Sequence, residues 1–184
     1  MAFERAMIEA NVWHAYDEGG GFVIDEGLDF RRSLTKRGQT YWESLVPEGA
    51  VPPKSAIDPS HIVPLLPHVV LIDIVRDPGR GRDYVVRLMG TEVARMFGDG
   101  TGRPVSEGLS GKTLFRTRAT LDHVARTGTP ARLASVSGYE NMEWLNGEGF
   151  YGPLLGDGGA LEHVIIVFDV WSSQAPVVPP EKMD

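Results

Sequence analysis

The stretch VVLIDIVR-DPGRGR-DYVVRLMG-TEVARMFGDGTGRP, residues 69–104, decides the fold of this chain. Its first run is apolar and β-branched with Asp73 as the one interior charge, which is typical of a strand in a well-covered sheet. Pro78 and the glycines around it form a turn, and the second strand-like run that follows predicts an antiparallel hairpin. A short helix then begins at Thr91 and ends at Gly98. This order indicates a compact α+β domain.

The run ARMFGDGTGRPV, residues 94–105, resembles the segment of PAS domains in which a short helix ends in an aromatic residue and a glycine. A longer set of residues resembles a narrower group, the family of small single-domain bacterial PAS proteins. The resemblance covers roughly residues 37–170. It implies a PAS-like fold, a five-stranded antiparallel sheet cupped over helices. The residues that carry it are Tyr41, Trp42, 57–59, 65–67, Asp73, Arg87, Leu88, Gly90 and Thr91.

The amino-acid composition excludes several classes of protein. The 184 residues are 42% hydrophobic and 23% charged, which is ordinary for one globular domain with extensions. The chain has no cysteine, so disulfides, thiolate metal sites and a cysteine nucleophile are excluded, as is the cysteine that flavin-binding PAS photoreceptors need for their adduct. No apolar run reaches the ~18 residues of a membrane span, and the first residues lack the basic region and apolar core that are typical of a signal peptide. These features predict a cytoplasmic protein.

The net charge of −7 argues against nucleic-acid binding, but the charge is unevenly spread. Residues 1–30 carry a net charge of −6, whereas residues 103–132 carry +4. We interpret most of this asymmetry as solvated surface. The alternative is a complementary contact between the N-terminal arm and the domain, or between subunits.

The chain divides into an acidic N-terminal arm over 1–35, a PAS-like domain over 36–171 and a proline-rich disordered tail over 172–184. Apolar residues at helical spacing predict an amphipathic helix over 3–16 that ends at three glycines, followed by a short added strand at 22–24. A second helix is predicted over 36–46. Because an isolated short helix is marginal in water, we expect the apolar face of the N-terminal helix to pack on its own domain or on a second subunit. The candidate residues of a homodimer interface are Phe3, Met7, Trp13, Tyr41, Trp42 and Leu45.

After residue 104 the pattern predicts one long helix and three strands. Ser110 can cap the helix and Gly128 can end it. The strands are expected at 131–136, at 142–155 with a break near 146–147, and at 161–171. We expect the strand faces that carry Asp73 and Asp169 to be the outer side of the sheet. These faces are too apolar to remain exposed to solvent, since burying each aliphatic side chain stabilises the fold by about 1.5–3 kcal/mol. The helix with Trp42, or a second subunit, should cover them.

A ligand pocket is expected inside the cup of the sheet. Arg87 lies between apolar strand residues, so it either pairs with a carboxylate of the domain or anchors a small organic acid. The other candidates are aromatic, methionine and leucine side chains, which at these spacings are more often plain core. The complete candidate set is Arg87, Met89, Met96, Phe97, Leu121, Tyr139, Trp144 and Tyr151.

The remaining motifs give little support for a nucleotide, metal or haem site. Residues 111–113, Gly-Lys-Thr, lack the upstream glycine of a P-loop, which favours an ordinary capped helix, and the glycine-rich run 98–102 is a turn. No pair of histidines has metal-ligand spacing. Haem-binding PAS sensors take an axial ligand from the long helix, but the wheel position of His123 points to solvent, which argues against haem. No metal or cofactor is therefore expected, and His163 is interpreted as structural.

These observations favour a non-catalytic sensory or regulatory module that binds a small ligand or a partner and acts through a separate output protein. A second hypothesis is a small α+β enzyme with a conical cavity, which needs Asp73, Asp169 or a histidine inside that cavity as general base. The third is a purely structural dimerisation scaffold with a filled core.

Overall fold

The computed structural model describes residues 6–7, 12–17, 20–46, 49–77, 81–135 and 145–172. Side chains are described from Phe22 onward, except those of Asp77, Leu145 and Ser172. The predicted tail over 172–184 therefore lies outside the described residues, apart from Ser172, which is the last residue of a strand.

One antiparallel sheet of eight described strands forms the centre of the domain, in the spatial order β1-β2-β3-β6-β7-β8-β4-β5. Every neighbouring pair runs antiparallel, and β4 lies beside β8 as the PAS-like fold requires. The five predicted strands are all present, and the sheet extends beyond them at the β6 edge. The strands are β1 Ala6–Met7, β2 Val12–Asp17, β3 Gly20–Asp25, β4 Val69–Asp77, β5 Gly81–Met89, β6 Ala131–Ser135, β7 Leu145–Leu155 and β8 Leu161–Ser172.

The N-terminal amphipathic helix is a wrong prediction, because residues 6–7 and 12–17 are strands. Two of the three glycines that were expected to end a helix, Gly20 and Gly21, are instead the first residues of β3 and pair with Asp17 and Tyr16 of β2. The short added strand is confirmed as β3, which pairs with β6. The arm therefore extends the sheet rather than lying on it as a separate helix.

Four α-helices and three short 3-10 helices complete the described chain. The predicted second helix is α1, Ser33–Ser44, which begins three residues before the expected start. The others are α2 Thr91–Phe97, α3 Val105–Gly108 and α4 Gly111–Thr127, with 3-10 helices at Lys54–Ala56, Pro59–Ile62 and Leu66–His68. Gly128 ends α4 with a φ of 71°, the left-handed conformation that favours glycine.

Each face of the sheet has its own apolar core, since side chains alternate between faces along a strand. On the inner face, α2, α3 and α4 cover the first core, which includes Ile72, Tyr84, Val164 and Ile166. On the outer face, α1 and the 3-10 segments cover the second core, which includes Val69, Phe150, Ile165 and Val167. The prediction that a helix with Trp42 covers the outer face is confirmed.

Trp42 attaches α1 to the outer face. Its indole Nε1 donates a hydrogen bond to the Pro153 carbonyl oxygen at 2.8 Å, and its ring meets Phe150 edge-on at 6.1 Å. A Cβ placed on Gly152 would lie 2.6 Å from the Trp42 ring, so only glycine allows this approach. Trp42 is buried within its own chain, and its assignment to a subunit interface is therefore wrong.

The remaining interface residues stay predictions or lie outside the described side chains. Tyr41 and Leu45 are half-buried, and the Tyr41 hydroxyl donates to the Asp58 carbonyl oxygen at 3.2 Å. Phe3 lies outside the described residues, and only the backbone of Met7 and Trp13 is described. The predicted break near 146–147 does not occur, because β7 runs without interruption from Leu145 to Leu155 beside β8.

Candidate ligand site

A cavity of about 80 Å³ lies between the inner face of the sheet and helices α2, α3 and α4. Its walls are almost entirely apolar. The sheet contributes Val70, Ile72, Val86, Met89, Leu133, Ile166 and Phe168, and the helical side contributes Val93, Phe97, Val105 and Leu109. Because protein interiors are close-packed, an apolar void of this size in the core is a candidate binding site.

Four polar residues also line this almost entirely apolar cavity. Thr113, Arg116 and Thr117 of α4 line it from one side, and Ser135 at the end of β6 lines it from the other. The Arg116 side chain is 2% exposed, and its Nη1 donates to Ser135 Oγ at 2.7 Å. The guanidinium carbon lies 5.9 Å from the centre of the Phe22 ring. Arg116 is the one charged residue among the described residues of the cavity wall.

Sequence reasoning missed these polar residues. The helix wheel drew attention to the apolar stripe of α4, whereas Thr113, Arg116, Thr117 and Thr120 form a second stripe at i, i+3, i+4 and i+7. Arg116 and Thr120 are both buried, and Thr120 Oγ1 donates to the Arg116 carbonyl oxygen at 2.9 Å. An arginine among threonines at helical spacing was the available signal for a second buried face.

Tyr151 adds a phenol to the cavity wall. Burial raises the pKa of Tyr151 well above its ordinary value, and a hydrogen bond with Thr117 lowers it only in part. The phenol therefore stays protonated at any ordinary pH and acts as a hydrogen-bonding group rather than as a base.

The structure brings together three of the eight predicted pocket residues, Met89, Phe97 and Tyr151, at the cavity. Leu121 is fully buried in the inner core but does not line the cavity, and Met96 is half-buried outside its wall. Tyr139 and Trp144 lie outside the described residues.

Arg87 lies on the opposite face of the sheet, so its assignment to the pocket is wrong. Leu71 pairs with Leu88 and Ile72 pairs with Val86, which leaves Arg87 as the extra residue of a β-bulge. The bulge interrupts the alternation of side chains, and Val86 and Met89 both line the cavity although three positions separate them. Arg87 and Leu88 are consequently directed outward, with the Arg87 side chain 49% exposed.

Arg87 instead forms an ion pair with Asp73, the alternative that the sequence left open. Its Nε lies 2.8 and 2.9 Å from the two carboxylate oxygens, and His163 Nδ1 lies 2.7 Å from Asp73 Oδ1. Burial raises the pKa of Asp73, but the hydrogen bonds from Arg87 and His163 outweigh it and hold that pKa below its ordinary value. Asp73 is therefore a charged structural partner on the outer face.

His123 does not point to solvent, contrary to the wheel prediction. It is 6% exposed, and its Nε2 lies 2.6 Å from Glu26 Oε1, just beyond the end of β3. The residues after β3 cover this side of α4, which a wheel of α4 alone does not include. Together with the 3.7 Å pair of Asp25 and Arg132, this contact joins the acidic arm to the basic part of the domain.

No helix in the described ranges has both the length and the apolar character needed to cross a membrane.

A search of curated proteins finds no match to the chain. A family model described as a PAS domain matches residues 31–166, which span α1 and the sheet strands from β4 into β8 and so include the whole described cavity wall except Phe168. The chain accordingly belongs to the PAS domain family.

Proposed function

We propose that this chain is a non-catalytic sensory module that binds a small ligand in the cavity under α2, α3 and α4 and transmits its state to a partner protein. The family supports this proposal, because PAS domains are sensory and regulatory modules and are in general not catalytic. The observation that carries it is the apolar cavity in the inner core, since an apolar void offers burial to a small ligand.

The elements around the cavity offer a route for transmission. Arg116 in the cavity wall contacts both Phe22 of β3 and Ser135 of β6, and these two residues pair directly across the sheet. A ligand that displaces Arg116 would thus directly perturb the pairing of β3 with β6. We propose β3 and the residues before it as the segment whose position responds to the ligand.

Two alternatives fit these observations less well. The enzyme hypothesis needs Asp73, Asp169 or a histidine in the cavity, but Asp73 pairs with Arg87 and Asp169 pairs with Arg32, both away from the cavity wall. The scaffold hypothesis needs a filled core, whereas the inner core contains the cavity.

Xenon binding tests the proposal, because xenon enters apolar cavities without specific polar contacts. We expect xenon to shift the NMR signal of the Met89 methyl group, with a much smaller effect on the Met96 methyl group, which lies outside the cavity wall. The Leu109→Phe variant should fill the cavity from its helical side and reduce the shift.

The Leu88→Phe variant is the matched control, because Leu88 is 47% exposed on the outer face. It should leave the xenon response of Met89 unchanged. The proposal is contradicted if the Met89 signal does not respond in the wild-type protein, or if both phenylalanine variants reduce the response equally.

A further inference from the structure

The described wall of the cavity presents almost no polar surface to a ligand, although polar residues contribute to it. The buried Arg116 already donates to Ser135 Oγ at 2.7 Å, and both residues make further contacts. Tyr151 and Thr117 are hydrogen-bonded to each other. These four residues are engaged by protein groups, so the surface that a ligand meets is apolar.

An apolar wall selects against polar ligands through desolvation. A hydroxyl, amide or carboxylate group gives up its hydrogen bonds to water on entering such a cavity, and an apolar wall does not replace them. A hydrocarbon loses no hydrogen bonds and gains from the burial of its surface. Water is a poor competitor, because a water molecule in a cavity needs two to four polar partners. The cavity therefore favours a neutral, apolar occupant.

The volume limits the size of that occupant. An apolar cavity of about 150 Å³ holds one benzene molecule, and the present cavity of about 80 Å³ is close to half that size. A molecule with on the order of three or four non-hydrogen atoms matches this space. An aromatic ring exceeds it, and the close-packed wall would have to move apart to admit one.

We propose that the cavity binds a short neutral hydrocarbon, or an equally apolar molecule of its size, against the side chains of Val86, Met89 and Phe97. This inference rests on the proposed function, since it names the ligand class of the same cavity. It assigns recognition to shape and to the exclusion of polar groups, with no anchoring charge.

Isobutene and acetone test the proposal on the full chain. The two molecules have the same planar shape and the same number of non-hydrogen atoms, but acetone has a carbonyl oxygen where isobutene has a CH₂ group. We expect NMR titration to show isobutene binding about tenfold more tightly, with shifts of the Met89 and Leu133 methyl groups. Equal affinity for the two molecules would overturn the proposal. Isobutene shifts of equal size at Met96, outside the cavity wall, would do the same.

Benzene tests the size limit. In an open apolar groove benzene would bind more tightly than isobutene, because it buries a larger apolar area. In a cavity of about 80 Å³ we expect the reverse order, since the ring does not fit without displacing the wall. Tighter binding of benzene than of isobutene at Met89 would show that the proposed ligand class is wrong.

A single added methyl group tests where the hydrocarbon lies. A Cβ placed on Gly100 would lie 3.3 Å from Met89 Cε and 3.5 Å from Val86 Cγ2, and all three residues line the cavity. Gly100→Ala should therefore narrow the site and weaken isobutene binding several-fold. Gly158→Ala is the matched control, because open space surrounds Gly158 and it lies outside the cavity wall. Unchanged isobutene affinity in Gly100→Ala, or an equal loss in both variants, overturns the proposal.

Xenon separates failure of this inference from failure of the proposed function. If xenon shifts Met89 but isobutene does not bind in preference to acetone, the cavity is a ligand site and the hydrocarbon inference is wrong. If neither xenon nor isobutene affects Met89, both proposals are wrong. Because the isobutene and acetone comparison uses the wild-type chain, it remains decisive even if Gly100→Ala fails to fold.

Discussion

The Oε2 atom of Glu148, in the middle of β7, accepts a hydrogen bond from the backbone N–H of Arg32 at the start of α1, at a distance of 2.9 Å. No side chain of α1 itself caps this end. The same carboxylate accepts from the Arg31 N–H, from Thr35 Oγ1 and from Arg132 Nε. A fully buried strand residue thus provides the cap that the helix sequence lacks.

Removing this carboxylate should destabilise the protein strongly. We expect Glu148→Ala to lower the free energy of unfolding by about 3 kcal/mol, because it leaves Arg132 with only its longer 3.7 Å pair to Asp25 and leaves the first turn of α1 without a cap. Urea unfolding measures the loss. Glu107→Ala, an exposed position, is the control and should change stability by less than about 0.5 kcal/mol. Equal effects of the two substitutions would contradict this role for Glu148.

Glu148 should also make stability depend on pH in the acid range. Burial raises the pKa of Glu148, but hydrogen bonds from Thr35, Arg31, Arg132 and Arg32 outweigh it and hold the pKa below its ordinary value of 4.5. A carboxyl group whose folded-state pKa is depressed stabilises the fold above its unfolded pKa and loses this contribution as pH falls through the folded value. We expect wild-type stability to fall below about pH 4.5. Glu148→Gln should flatten that fall, and an identical pH profile would argue against the assignment.

The close contact of Gly152 with Trp42 predicts a steric effect. A methyl group at Gly152 would overlap the indole ring, so Gly152→Ala should displace α1 from the outer face and cost about 2 kcal/mol. Gly158→Ala is the control, since open space surrounds Gly158 in the β7–β8 turn. Thermal unfolding should separate the two variants clearly. Full stability of Gly152→Ala would show that α1 packs in another way.

Phe22 tests whether the N-terminal strand is part of the domain. Its ring is 2% exposed and meets Phe115 edge-on at 5.8 Å. We expect Phe22→Ala to destabilise the whole domain by about 3–5 kcal/mol in urea unfolding. Val23→Ala, next to it but half-buried, should cost clearly less. If Phe22→Ala leaves the unfolding midpoint unchanged, β3 is an appendage rather than a strand of the sheet.

Arg87 should have only a small effect on stability. Its ion pair with Asp73 is half-exposed and screened by solvent, so Arg87→Ala is expected to cost less than about 1 kcal/mol. A double-mutant cycle with Asp73→Asn measures the coupling between the two side chains. The xenon response of the Met89 methyl group should be unaffected by Arg87→Ala, and a weaker response would return this residue to the ligand site.

Local sequence patterns were sufficient where each strand follows simple alternation. The strand faces that carry Asp73 and Asp169 were correctly placed on the outer side of the sheet, because β4 and β8 pair in regular register. The same reasoning failed for Arg87, since a bulge shifts the alternation by one residue and its position depends on the pairing with β4. It also failed for residues 12–17, whose aromatic and β-branched run satisfied helical spacing and strand preference alike.

By itself, the sequence determined the order of the five strands and the long helix, the glycine turns between them and the two apolar faces of the sheet. These features follow from local backbone preferences and from the period of apolar residues along the chain. Only the tertiary structure decided that Arg116 of the cavity wall meets both Phe22 and Ser135. These three residues come from segments far apart in the chain, and strand pairing and helix packing bring them together, which no local pattern specifies.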